Sequence, residues 1–434
     1  MKKMHLAWFN GFSPGDPGGW NASHLYAGYD WKQPELYQDM ALVCERGKFD
    51  MVLFADVLAI PNQYSHSMDA YIRHAVAGVN HDPLPLIAMM AAKTRHIGLA
   101  STLSTTYYPP YLLARIMATL DHLTRGRIGW NVVTSANPVE AQNFGVEDLP
   151  MHDQRYEMAD EYMELCYRLW ESWEEGAEVL DAERGIYADP SKVHSVDFSG
   201  KYFRSRGPLN VVRSPQVHPV ILQAGSSERG KEFAARHAEV IICNKNSIEE
   251  MKLFYEDIKL RVKKHGRDPE AVKVFFTVRP VIGDTEEMAR FKEKEWRERA
   301  SIEAGVAYLS GKLLVDLSQY DLDQPLQMEL NHIQGIQGTL MRFYSGGRTP
   351  TLREIALQDA MGEMVPVVGT PEQVADRLQD IFSQVGGDGF AIRASFTPAY
   401  VVEFIDRVVP ILQKRGLART EYTGSTFREH LMEF

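Results

Sequence analysis

The sequence predicts a (β/α)8 TIM barrel, and three observations carry that expectation. Short apolar runs alternate with amphipathic helical stretches along most of the chain, making roughly eight β/α units. Several of those runs end in small or polar residues, as strands do when their C-terminal ends line a site. The alternation is broken at length only twice, after the fourth and seventh strands, as insertions into one repeating plan would break it.

In order, His5–Phe9 is the first candidate strand, followed by a Gly/Pro-rich loop and a helix over Pro34–Arg46. Met51–Ala55 is a continuous apolar run closed by Asp56. Leu84–Lys93 reads as helix, Ile97–Leu103 as strand, and Tyr111–Leu123 as the helix leading into the strand Ile128–Val133. Arg155–Trp173 is a long amphipathic helix. Val220–Ala224 is a strand closed by Gly225-Ser226-Ser227, with a helix over Glu228–His237. Val240–Cys243 and Val272–Pro280 are further strands, separated by the helix Ile248–His265. Gly389–Ala394 closes the strand set and Ala399–Arg415 is the last long helix. Glu174–Ser214 and Tyr308–Glu363 lack clear periodicity, and the second is a candidate lid over the C-terminal side of the barrel, or else an oligomer contact. The expected organisation is one domain over residues 1–434 carrying those two insertions.

Composition narrows the partners. With 44% hydrophobic residues the 434-residue chain can fill one large core. A net charge of −11 argues against nucleic acid or an anionic membrane surface, so a bound phosphate has to be held by locally oriented donors. Cys44, Cys166 and Cys243 are widely spaced and odd in number, which fits a reducing compartment without disulfides or a zinc site. The start MKKMHLAWFNGF lacks an apolar signal core, and no run approaches the ~20 residues needed to span a bilayer. The reading is a soluble, cytoplasmic protein. Fourteen histidines show no metal-ligand spacing, and neither a GxSxG elbow nor a GxGxxG turn after a strand is present.

Candidate site residues follow from the strand ends: Asp56, Thr102 to Ser104, Asn131 to Ser135, Gly225 to Ser227, and Asn244. Any one of them alone reads first as a loop or cap residue, but their recurrence at four or five strand ends reverses that and points to one polar face. Asp56 ends a fully apolar strand, where an unpaired carboxylate is costly. Asn131 sits inside the apolar run IGWNVV, so its amide needs a partner, either in the core or in a ligand. AGSSERG (Ala224–Gly230) is a small-residue turn into a helix. Ser226 or Ser227 there either simply caps the helix or helps its free N–H groups to bind an anion. Phe9, Phe12, Trp20, Tyr107 and Tyr108 form either an aromatic pocket suited to a flat ring or sulfone, or ordinary packing.

The stretches TLDHLTRGRIGWNVVTS (Thr119–Ser135), NFG (Asn143–Gly145) and HDQRYEMADEY (His152–Tyr162) resemble the bacterial-luciferase-like flavin monooxygenases. They fall within the branch of nitrilotriacetate, dibenzothiophene-sulfone and long-chain alkane monooxygenases. The likeness runs from KFDMVLFAD (Lys48–Asp56) to VVPILQKRGLARTEY (Val408–Tyr422). It implies FMN, used as FMNH2 with O2, and a separate NAD(P)H:flavin reductase that delivers the flavin by diffusion. The substrate would be a small organic compound, aromatic or organosulfur, and the assembly a homodimer or homotetramer. By the same resemblance Asp56, Thr102 and Asn131 match positions beside the isoalloxazine. Ser226, Ser227, Tyr156 and neighbouring His152 match those at the FMN phosphate. The family's His near the end of the first strand has no clean match, since the region reads SPGDPGGWNASH; either the shifted His24 or Trp20 contributes, or that role is missing. The expected catalytic set is therefore Asn131, Asp56 and His24. A deazaflavin-dependent oxidoreductase, a flavin-degrading enzyme and a non-catalytic flavin-binding protein remain the alternatives.

Overall fold

The computed structural model describes residues 2–10, 26–147, 149–326, 349–361 and 364–434. Eight parallel strands close into a barrel: β1 (His5–Asn10), β2 (Met51–Phe54), β3 (Gly98–Ser104), β4 (Ile128–Val133), β5 (Val220–Gln223), β6 (Val240–Cys243), β7 (Lys273–Val278) and β8 (Gly389–Ile392). The order around the barrel is β1-β8-β7-β6-β5-β4-β3-β2. The barrel expectation holds, with insertions after β4 and β7. Among the described residues no helix is long and apolar enough to cross a membrane.

Strand alternation sorts side chains to two cores. Outward residues such as Leu6, Trp8, Leu99, Trp130 and Ile241 pack under the helices in the main apolar cluster. Inward ones (Ala7, Leu53, Ala100, Leu222, Ile242, Phe275 and Ala391) fill the barrel interior. The floor comes from the far end of the chain. Phe427 and Leu431, on the short helix Phe427–Leu431, belong to that inner cluster and are fully buried. Gly98 and Gly129 make room for the Phe427 ring, because a Cβ at either position would lie 2.6 or 3.0 Å from it. Beside this plug, buried Asp50 accepts hydrogen bonds from His5 Nδ1 (2.8 Å), the Leu6 N–H (2.8 Å) and Arg419 Nη2 (2.8 Å). A buried carboxylate is tolerable only when paired and bonded in this way.

Four details differ from the periodicity reading. The last helix is two, Pro398–Arg407 and Val409–Lys414, because Pro410 cannot donate to the preceding turn. The seventh strand stops at Val278, and Pro280–Ile282 pairs instead with Val367–Gly369 outside the barrel. Glu174–Ser214 holds two small hairpins, Glu178–Asp181 with Ile186–Ala188 and Phe198–Ser199 with Arg204–Ser205, too short to show a period. Glu161 on the helix His152–Trp170 ties the second hairpin down by accepting from the N–H groups of Lys201, Tyr202 and Phe203 (2.7–2.9 Å). The second insertion starts on a helix, Ile302–Leu313, which shares a separate apolar cluster with the helix Leu352–Met361 through Val306, Leu309, Leu352 and Ile355. Within the candidate lid Tyr308–Glu363, the apolar residues Met328, Ile333 and Met341 lie outside the described residues.

The floor yields a test. Phe427→Ala removes a fully buried ring that two glycines are shaped around, so it should cost about 3–5 kcal/mol of stability. Urea unfolding of the variant and parent reads this directly; a loss below about 1 kcal/mol would mean that the plug is peripheral to the core.

Candidate functional site

One layer above the apolar interior, at the C-terminal ends of the strands, the same inward positions turn polar. Thr102 follows Ala100 on β3, and Asn131 follows Gly129 on β4. Asn244 follows Ile242 beyond β6, and Thr277 follows Phe275 on β7. The strand pairing places Thr102 directly beside Asn131. Thr102 Oγ1 donates to the Phe54 carbonyl (2.8 Å) and accepts from Asn131 Nδ2 (2.9 Å). Both residues are about 95% buried, at 4% and 5% exposure, yet Asn131 Oδ1 has no hydrogen-bond partner. A buried acceptor left this way costs about 1–3 kcal/mol, so it is a place for a ligand donor.

Asp56 stands two residues beyond Phe54, at the exit of β2. Its Oδ1 accepts from the Val57 N–H (2.9 Å) and Asn80 Nδ2 (2.7 Å). Burial, with the Asp82 carboxylate nearby, pushes its carboxyl up to about 7, although the Val57 and Asn80 bonds pull the other way. Glu140, on the helix Pro138–Asn143, is a second buried acid at this face; it accepts from the Leu58 N–H (3.0 Å), and burial raises its pKa. Between β4 and that helix, Ser135 takes a positive φ of 45° and its hydroxyl donates to Ser104 Oγ (2.9 Å).

The other sequence-selected group assembles at the exit of β5. Ser227 caps the helix Glu228–His237, its Oγ accepting from the Gly230 N–H at 3.0 Å. His152 Nε2 lies 3.3 Å from that Oγ, and the Tyr156 hydroxyl accepts from Gln223 Nε2 at 3.4 Å. A Cβ on Gly225 or Gly230 would stand 2.9 Å from the Tyr156 oxygen, so only glycines let this hydroxyl reach the helix N-terminus. Ser226, next to the cap, is exposed. A helix N-terminus, a hydroxyl pair and an imidazole around a glycine turn could together hold an anion without net positive charge.

The structure thus gathers Thr102 with Asn131, and Ser227 with His152 and Tyr156, on one barrel face, with Asp56 at the β2 exit. His24, Phe12 and Trp20 lie outside the described residues. Of the aromatic set, Phe9 is half-buried under the Arg393 guanidinium (5.9 Å from the ring centre), and Tyr107 stacks on Phe144 at 4.6 Å. Sequence reasoning missed Asn80, Glu140, Thr277 and Arg393. Thr277 was findable from strand parity, two residues after inward Phe275; Asn80 and Glu140 arrive from loops and helices with no periodic signal. Among the described residues no group of His, Cys, Asp or Glu could hold a metal ion.

A closed parallel barrel whose inner wall turns polar at its C-terminal mouth is the build of a barrel enzyme. The model of the luciferase-like monooxygenase family matches residues 13–389. The chain is 42% identical over 442 residues to the dibenzothiophene-sulfone monooxygenase of Rhodococcus erythropolis (strain XP), covering 99% of this chain and 97% of that one. It is 38% identical over 445 residues to nitrilotriacetate monooxygenase component A of Aminobacter aminovorans, covering 99% and 96%. A riboflavin lyase crystallised with modified FMN and riboflavin superposes with a TM-score of 0.91 at 34% identity, covering 100% of this chain and 96% of that one. The chain belongs to the luciferase-like monooxygenase family and is an enzyme of that family.

Asp56 makes a pH prediction. Its carboxyl keeps a proton up to about 7 in the fold but loses it near 3.8 when unfolded. Its contribution to stability is therefore full below pH 4 and lost as pH rises through 7. Asp56→Asn, which keeps the Oδ1 acceptor, should be more stable than the parent by up to about 4 kcal/mol at pH 8, and by much less at pH 4. Thermal midpoints of both proteins across that range check it; a gap that does not widen with pH would show an ordinary carboxylate.

Proposed function

We propose that this chain is the oxygenating component of a two-component FMNH2-dependent monooxygenase, using O2 and reduced flavin from a separate NAD(P)H:flavin reductase. The observation that carries the reading is the pairing of an anion cradle at β5 with an unpartnered buried amide at β4. In this reading the Ser227 helix N-terminus would hold the phosphate and Asn131 Oδ1 would accept from a ring N–H of one bound FMN. Support also comes from the relatives: one is itself called a component, and the riboflavin lyase was crystallised with modified FMN on a closely similar fold.

In this reading Ser227, Tyr156 and His152 hold the phosphate, with Ser226 at the open side of the turn. Thr102, fixed to the Phe54 carbonyl, orients the Asn131 amide, whose open oxygen would accept a hydrogen bond from the bound flavin. Bound reduced FMN supplies the activation of O2. Asp56 holds or releases a proton near neutral pH at the ring's border, and Asn80 fixes its Oδ1. His24 belongs to the same catalytic set by position along the chain. The helices Ile302–Leu313 and Leu352–Met361 form the lid that keeps the mouth dry; Tyr308 on the first accepts from Arg393 Nη2 at the exit of β8 (3.4 Å). The domain is single, the assembly a homodimer or homotetramer, the location cytoplasmic, and the substrate a small aromatic or organosulfur compound.

The cradle separates flavins by their phosphate. Ser227→Ala should weaken FMN by about 1–2 kcal/mol and leave riboflavin nearly unchanged; equal losses in equilibrium titrations would remove Ser227 from a phosphate site. The activity itself is read with a coupled flavin reductase, NADH and a panel of aromatic and organosulfur compounds, analysed by mass spectrometry under 18O2. One labelled oxygen in a product is expected. Flavin breakdown without any oxygenated panel compound would favour a flavin-degrading enzyme instead.

A further inference from the structure

The mouth layer holds a second polar pair, on β6 and β7, beside the β5 cradle and across from Thr102. Strand β7 lies four places from β3 in either direction around the closed sheet, so Thr277 stands across the mouth from Thr102. Thr277 follows inward Phe275 by two residues, is 2% exposed, and its Oγ1 has no hydrogen-bond partner. Asn244 follows inward Ile242 by two on the neighbouring strand, and its Oδ1 is also buried and unpartnered. The pairing of β6 with β7 runs from Val240 beside Lys273 to Cys243 beside Phe276, so Asn244 and Thr277 are the next pair in line. On the opposite wall the equivalent hydroxyls are satisfied by protein, Thr102 by Phe54 and Ser104 by Ser135.

Two adjacent buried oxygens without partners, on two strands of one mouth, are expensive to keep unless something else bonds them. Asn244 Oδ1 can only accept, so its partner must bring an N–H or O–H. The Thr277 hydroxyl can donate, so it takes an acceptor oxygen. Neither residue is charged, so the pair suits a neutral group rather than an ion. The flavin reading gives β2 to β5 to the cofactor and leaves this arc for the second reactant.

We propose that Asn244 and Thr277 are substrate-positioning residues that grip a neutral substrate group bearing a donor beside an acceptor, such as a carboxamide. This rests on the flavin reading for the word substrate, but the clamp itself is a property of the two side chains. It makes a plain hydrocarbon or sulfide a poor occupant of this arc.

Benzamide and acetophenone test it, being nearly equal in size and differing by an NH2 in place of a methyl. Their dissociation constants are measured by ligand-observed NMR on the FMN-loaded protein, and again on the protein without FMN. Benzamide should bind at least tenfold more tightly than acetophenone. Asn244→Leu should erase that preference, while Thr277→Val should weaken both probes about five- to tenfold and Thr277→Ser restore them. FMN affinity should stay within twofold in all three variants, which a general loss of packing would not allow. Equal binding of the two probes, no binding of either, or a preference that survives Asn244→Leu would overturn the clamp. Failure of the protein to take FMN, with the probe preference intact, would instead overturn the flavin reading and leave the clamp standing.

Discussion

Closure of eight parallel strands imposes the constraint on which the rest of this molecule depends: every second residue of each strand must face the interior, with no edge to escape to. In the lower part those positions are Ala7, Leu53, Ala100, Leu222, Ile242, Phe275 and Ala391, and they make a dry core. At the mouth the same rows continue as Thr102, Asn131, Asn244 and Thr277. Because backbone pairing holds the rows in register, these polar groups cannot swing out to solvent. They bond one another, as Thr102 and Asn131 do, or remain open to a ligand.

The two ends of the barrel solve opposite problems. The lower end is sealed by chain that arrives last, with Phe427 set over Gly98 and Gly129 and with Arg419 neutralising Asp50. The upper end is left polar and unsealed by strand residues, and the helix Ile302–Leu313 reaches it where Tyr308 meets Arg393 at the exit of β8. Rigidity below and open chemistry above are linked, since an unfilled floor would let β3 and β4 shift and would misplace the Thr102–Asn131 pair. A site built on strands backed by a filled core is held more firmly than one built on loops.

Electrostatics at the mouth come from burial rather than from net charge. A chain of net charge −11 offers no general attraction to a phosphate, yet the Ser227 turn presents oriented N–H groups where Tyr156 and His152 converge. The same burial raises the proton affinity of Asp56 and Glu140, which in water would be plain carboxylates. Position, not composition, sets what these residues can do.

Much of this was legible in the sequence. Apolar runs closed by polar residues reported the strands and their C-terminal ends, so Asp56, Thr102, Asn131, Ser227 and Asn244 could be singled out from pattern, and family motifs added His152 and Tyr156. These are local signals: a strand's alternation and a helix's cap are written within a few residues. The sequence did not show that Phe427 plugs the barrel, that Asn80 holds Asp56, that Glu161 anchors a hairpin some forty residues on, or that Asn244 and Thr277 are neighbours. Those contacts join segments far apart in the chain, and only barrel closure and strand register decide which of them meet. The sequence determined which residues could carry chemistry; the tertiary structure decided which of them were left without partners, because a hydrogen bond is satisfied by what folding brings near and not by what lies next along the chain.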